Sequence, residues 1–204
     1  MAEGFRLIAA ADRGWAIGRN GRMLVQIPKE RQLFLAETRG AAVVMGRKTF
    51  DALPGRQPLY DRENIVLSRD PGFAPRGVRV FRSFEEALAF LQTLPPEKVF
   101  IIGGESIFRQ FLPWCATADI TAVDYRYDGD SFLPALDRDP SWKLLAESEE
   151  ETYFDLPFTF PHRYQPYSSL YRLQHQGLQC LPEIFVLARQ GQGKVETNLE
   201  MSDF

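Results

Sequence analysis

Histidine and cysteine are scarce in this chain: two of each in 204 residues, with Cys115 and Cys180 far apart. That excludes a disulfide framework and argues against a zinc site of His and Cys. Long apolar runs are missing too, none approaching the roughly 18 residues needed to cross a bilayer. Neither sign of charge dominates, with 24 Lys and Arg against 27 Asp and Glu. No broad basic surface is therefore on offer to nucleic acid or an anionic membrane. The opening stretch, MAEGFRLIAAADRG, meets charged residues too soon for a signal peptide. There is no internal repeat and no G-x-G-x-x-G fingerprint. What remains is 45% hydrophobic and 25% charged, the composition of one globular domain that buries its own core without a staple. The expectation is a cytoplasmic monomer with no nucleic-acid or membrane partner.

Short β-branched runs alternate with helical patterns through the first half of the chain. Phe5–Ala11, Ala41–Met45, Asn64–Ser68, Val78–Phe81 and Lys98–Ile102 read as strands. Pro28–Thr38 reads as a helix with Pro28 in its first turn and Leu33 and Phe34 on one face. Lys48–Leu53 is a short helix, and Glu105–Phe111 another. Ser83–Leu94 carries a cap at Ser83, Glu86 three residues on, and an apolar stripe of Phe84, Leu88 and Leu91. This alternation predicts an α/β fold: a mostly parallel central sheet with helices on both faces. After residue 115 the strands Asp119–Tyr127, Trp142–Glu150 and Phe158–Gln165 follow without helices, which predicts an antiparallel C-terminal hairpin on the same sheet. Residues 1–165 are thus expected to form the catalytic domain. Residues 166–204 are glutamine-rich with one compact apolar run, Ile184–Ala188, and read as a C-terminal extension, docked through that run or partly disordered.

Ligands of open α/β sheets bind beyond the carboxyl ends of the strands. Gly46, Arg47, Lys48 and Thr49 follow the second of these strands and open a helix; Gly103 and Gly104 follow another and open a second helix. Glycine lets backbone approach a ligand, and helix starts offer unpaired N–H groups, so two such ends together suit a pyrophosphate. Ser68 and Arg69 at a third strand end could meet an adenosine phosphate. The plain alternative is a tight turn at Gly103-Gly104 and a solvated basic surface. Glu30, in the first turn of the Pro28–Thr38 helix, is either a partner of the helix dipole or a single buried acid at a cleft floor beside Ile8, Ala10 and Phe34. In the second case burial raises its pKa and it can bind a ligand with paired N–H donors. The stretch Asp12–Ile27 lacks periodicity and contains three glycines, the pattern of an active-site lid.

Together these residues resemble the dihydrofolate reductase family over about residues 4–165. The likeness rests on Ile8–Met23 (IAAADRGWAIGRNGRM), Pro28 with Glu30, Val43–Phe50 (VVMGRKTF), the NIVLSR strand, Val99–Phe108 (VFIIGGESIF) and Thr121–Pro134. The resemblance implies NADPH as cofactor, dihydrofolate as substrate and hydride transfer to the pterin ring, with N5 protonated from water. It implies that Glu30 binds the pterin ring N–H and 2-amino group, supported by a hydrogen bond from Thr121. Ile8, Ala10, Arg31, Phe34 and Ile102 would line the substrate. Ala10, Ile17, Gly18 and Ile102 would lie on the nicotinamide side. Gly46, Arg47, Lys48, Thr49, Ser68 and Arg69 would hold the adenosine phosphates. Gly103-Gly104 would form a cis turn beside the cofactor, with Glu105, Ser106 and Ile107 following it. No metal is implied.

The family's arginine for the folate glutamate has two matches here, Arg56 in PGR and Arg62 in R-x-N; Arg62 needs the simpler insertion. Val25 stands where relatives have tryptophan, and Arg31 where they have a large apolar residue. The extension has no counterpart in single-domain relatives, and hydride transfer is expected to survive its removal. Two other functions compete: a same-fold NADPH reductase of another heterocycle, such as the ribosylaminopyrimidine of riboflavin synthesis, and a non-catalytic pterin- or nucleotide-binding relative.

Overall fold

A computed structural model describes residues 4–24, 26–123, 125–147 and 184–189, the last as backbone only. Eleven strands and four α-helices are present among them: β1 Phe5–Asp12, β2 Ala16–Arg19, β3 Arg22–Met23, α1 Pro28–Glu37, β4 Ala42–Gly46, α2 Arg47–Asp51, β5 Glu63–Leu67, β6 Val78–Phe81, α3 Phe84–Leu91, β7 Val99–Gly103, α4 Glu105–Phe111, β8 Cys115–Val123, β9 Ser131–Phe132, β10 Trp142–Glu147 and β11 Ile184–Arg189.

Eight strands form the main sheet in the order β10-β11-β8-β1-β7-β4-β5-β6. The pairs within β8-β1-β7-β4-β5-β6 are parallel, and β11 runs antiparallel to both its neighbours. The expected mostly parallel sheet with a reversed C-terminal strand is therefore present. Alternation of side chains splits the core into two layers. On one face Leu7, Val44, Ile65 and Ile101 pack with Ala87 and Leu91 of α3 and Ile107, Phe108 and Phe111 of α4. On the other, Ile8, Val43, Met45 and Phe100 pack with Phe34 of α1 and Phe50 of α2. Ser83 caps α3 by accepting the Glu86 N–H at 3.2 Å.

Three sequence expectations shift. First, β8 begins at Cys115 rather than Asp119, because Cys115–Val123 alternates across a sheet buried on both faces, where polar Thr117, Asp119 and Thr121 are tolerated. Second, the unperiodic lid contains the β2–β3 hairpin, which joins β9 in a small three-stranded sheet. Pairing with a distant strand rather than local pattern makes these strands. Third, the apolar run Ile184–Ala188 does dock, and does so as a strand of the main sheet between β8 and β10. The Phe158–Gln165 strand, like Val25, lies outside the described residues. Among the described residues no helix is long and apolar enough to cross a membrane.

Candidate active site

Helix α1, which carries Glu30 in its first turn, is anchored to the sheet through its C-terminal half. At its C-terminal end Glu37 accepts from Arg6 Nη2 at 2.9 Å, and the same guanidinium reaches Asp119 of β8 at 2.8 Å. The Arg6 guanidinium also sits 4.5 Å above the Phe100 ring. One turn back on the helix, Phe34 packs in the layer that holds Ile8, beside Ile102. Glu30 stands in the first turn of α1, and on β1 Ala10 pairs in register with Thr121 of β8. Glu30 is half-buried, and burial raises its pKa above the ordinary carboxylate value. No hydrogen bond joins it to Thr121, which is itself buried; the expected support from that hydroxyl is not made in this structure.

The lid lies against the end of β1. Ala10 and Ile17 border one small cavity with Asp12, Ala16 and Met23. Gly18 pairs with Met23 across the hairpin, and a Cβ at Gly18 would lie 2.8 Å from the Arg22 carbonyl. Asp12, which sequence inspection left unassigned, organises this region. It is buried; Oδ1 accepts from the N–H groups of Gly14 (2.7 Å) and Ala16 (2.9 Å), and Oδ2 from that of Tyr127 (2.7 Å). The signal available was an acid at the end of a buried strand followed by a glycine loop, the setting in which carboxylates collect backbone donors.

Three other strand ends, those of β7, β4 and β5, are neighbours in the sheet. Gly46 and Gly104 are the caps of α2 and α4, and neither helix has a side-chain cap. A Cβ at Gly46 would be 3.2 Å from Ile107, and one at Gly104 would be 3.4 Å from the Thr49 hydroxyl, so the two strand-to-helix turns touch. The Gly103-Gly104 peptide is cis, and Gly103 has φ 109° with Phe108 only 2.9 Å from any Cβ there, which leaves room for glycine alone. Ser68 is buried at the end of β5 and Arg69 is exposed beside it. Lys48 and Arg69 have no acidic partner among the described residues. Arg47 pairs with Asp70 and, at 3.5 Å, with Asp51. Arg82 was also unforeseen: its guanidinium donates to the carbonyls of Ser68, Asp70, Pro71 and Phe73 and so shapes the turn after β5.

Other expected residues stand apart. The Ile107 side chain is in the core, leaving only its backbone to a ligand. Glu105 accepts from Arg109 at 3.0 Å and from the Phe132 N–H at 3.0 Å, tying α4 to β9. Ser106 and Arg31 are exposed. Of the two arginines, Arg56 is exposed on a turn at φ 53°. Arg62 is anchored at the end of α1, its Nε donating to the Thr38 hydroxyl at 2.9 Å and its terminal nitrogens to the carbonyls of Leu35 and Tyr60. Five guanidinium donors less these three leave one N–H on each terminal nitrogen, the pair that a carboxylate accepts. Among the described residues no group of His, Cys, Asp or Glu could hold a metal ion.

A glycine-lined cradle at the parallel strand ends, and Glu30, a half-buried acid in the first turn of α1, define the site of a nucleotide-dependent α/β enzyme. The family model for dihydrofolate reductase matches residues 4–165. Dihydrofolate reductase of Neisseria meningitidis serogroup A is 39% identical over 143 residues, covering 70% of this chain and 86% of that one. That of Mycobacterium leprae is 42% identical over 135 residues, covering 64% and 81%. Among solved structures, dihydrofolate reductase from Enterococcus faecalis, complexed with NADP(H) and RAB-propyl, superposes with a TM-score of 0.70 at 26% identity, covering 93% of this chain and 98% of that one. This chain belongs to the dihydrofolate reductase family. The family match stops at residue 165, whereas the sheet takes β11 from beyond it.

Proposed function

We propose that this protein reduces 7,8-dihydrofolate to 5,6,7,8-tetrahydrofolate with NADPH, as a monomer in the cytoplasm. The observation that carries this is the family match over residues 4–165 together with Glu30, a half-buried acid of raised pKa in the first turn of α1. A carboxylate there can accept two parallel N–H groups from the pterin edge, its ring N–H and 2-amino group. Its negative charge then favours a proton on N5, which arrives from water. Phe34, Ile8 and Ile102 offer the apolar walls between which a flat heterocycle packs, and Arg62 has two donors left for the α-carboxylate of the glutamate tail.

The residues present also fit NADPH. The touching turns at Gly46 and Gly104 leave space that a side chain would fill, Thr49 adds a hydroxyl between them, and Lys48 and Arg69 carry charge with no acidic partner among the described residues. Ala10, Ile17 and Gly18 would border the nicotinamide. When bound, NADPH supplies the hydride. The lid and Asp12 would exclude water from that transfer.

The test is consumption of NADPH, followed by loss of nicotinamide absorbance, with dihydrofolate present, absent, or replaced by the ribosylaminopyrimidine of riboflavin synthesis. Oxidation that requires dihydrofolate and yields tetrahydrofolate is the expected result. Oxidation with the pyrimidine alone would move the protein to the other reductase, and none with either substrate would favour a binding role.

A further inference from the structure

The turn after β5 places an acid among the cations assigned to the adenosine phosphates. Asp70 forms an ion pair with Arg47 Nη1, and its other oxygen accepts the Gly72 N–H at 2.9 Å. Arg47 is held in that position from the opposite side too, with its guanidinium 5.2 Å from the Phe73 ring centroid and its Nε 3.5 Å from Asp51. Asp70 is ionised, its pKa lowered by the Gly72 N–H and by Arg47. Arg82, the remaining cation of the cluster, spends its donors on four loop carbonyls. The arginine that opens α2 is therefore neutralised by a neighbouring strand end, while Lys48 and Arg69 have no acidic partner among the described residues.

We propose that Asp70 is a specificity-determining residue that competes with the cofactor's 2′-phosphate for Arg47 and so narrows the preference for NADPH over NADH. The inference rests on the reading that these strand ends hold the adenosine half of the cofactor. A 2′-phosphate brings close to two negative charges to Arg47; to pair with it, Arg47 must share its guanidinium with Asp70 or leave it, and either way the phosphate sits near that carboxylate. The 2′-hydroxyl of NADH makes no such demand, and an acid at this place can accept its hydrogen bond. Asp70 thus weakens one cofactor and tolerates the other.

Asp70→Asn tests this directly. It retains an oxygen for the Gly72 N–H, is exposed, and removes only the charge. Dissociation constants for NADPH and NADH are measured on the intact chain by quenching of protein fluorescence. Arg69→Ala is measured in parallel. Asp137→Asn, an exposed acid between β9 and β10, controls for net charge. The expected result is NADPH binding five- to twentyfold tighter in Asp70→Asn, NADH within twofold, and Asp137→Asn unchanged. A NADPH-to-NADH ratio that stays put or falls in Asp70→Asn, while Arg69→Ala lowers it, overturns the role of Asp70 and leaves the cofactor site standing. A ratio that moves in neither variant removes the phosphate assignment itself, and the inference with it. Equal tightening in Asp70→Asn and Asp137→Asn overturns it as well, since only overall charge would then be acting.

Discussion

Asp12 accepts the backbone N–H of Tyr127 at 2.7 Å, joining the end of β1 to the loop after β8. A second link runs between the same segments, from the Arg13 N–H to the Tyr125 carbonyl at 3.0 Å. Since the other Asp12 oxygen binds Gly14 and Ala16, one buried carboxylate holds both loops that flank the proposed nicotinamide side.

Asp12→Ala should therefore do two things. Three backbone donors lose their acceptor, which costs about 2–4 kcal/mol of stability after water reaches some of them. The lid carrying Ile17 and Gly18 also loosens, so KM for NADPH should rise more than that for dihydrofolate. Denaturant melts and steady-state kinetics check both; a stable variant with unchanged KM values would remove Asp12 from lid positioning.

Glu30→Gln links function to stability with a definite sign. Burial raises the pKa of Glu30 in the folded protein above its ordinary 4.5. Between 4.5 and that raised value the folded state holds a proton that the unfolded state has released, so stability from this group falls as pH rises through the window. Above it the full cost of an ionised, half-buried carboxylate is present. Glutamine has no such cost. Its melting temperature should exceed wild type at neutral pH, and the gain should disappear well below 4.5. A variant less stable than wild type at neutral pH would show that the carboxylate has favourable partners here.

Much of this was legible beforehand because it is local. The cap at Ser83, the proline-led α1 and the turns at Gly46 and Gly103-Gly104 follow from residues adjacent in the chain. The parts that were not legible depend on partners far away. The β2–β3 hairpin is completed by β9, which pairs with β2, and β8 starts at Cys115 because Phe5 of β1 pairs with it there. Asp12, Asp70 and Arg82 act on backbone groups or partners that only the folded chain brings near. Spacing already favoured Arg62 over Arg56, but its three anchors at the end of α1 involve Thr38, Leu35 and Tyr60 and so belong to the folded chain.

Arg69→Ala should weaken NADPH about tenfold and leave NADH nearly unchanged, the loss of one charge-assisted phosphate contact. The comparison should be made at low and high salt, because an exposed cation is screened. An equal loss for both cofactors would place Arg69 away from the 2′-phosphate.

Ending the chain near Tyr167 removes β11, which pairs with β8 from Ile184↔Thr121 to Ala188↔Thr117 and with β10 on its other side. The edge of β8 would be bared and β10 left without its neighbour. Contrary to what the sequence suggests, the shortened chain should be poorly soluble and without activity. A soluble, active truncation would mean that the sheet closes without β11.

The central claim, that the Glu30 carboxylate drives turnover, is tested most directly by the rate of dihydrofolate-dependent NADPH oxidation in Glu30→Gln at saturating cofactor. The amide keeps the shape and loses the charge, so the expected result at neutral pH is a loss of about 10²–10⁴-fold in a folded protein that still binds NADPH. A rate near wild type, with the same dependence on pH, would contradict it.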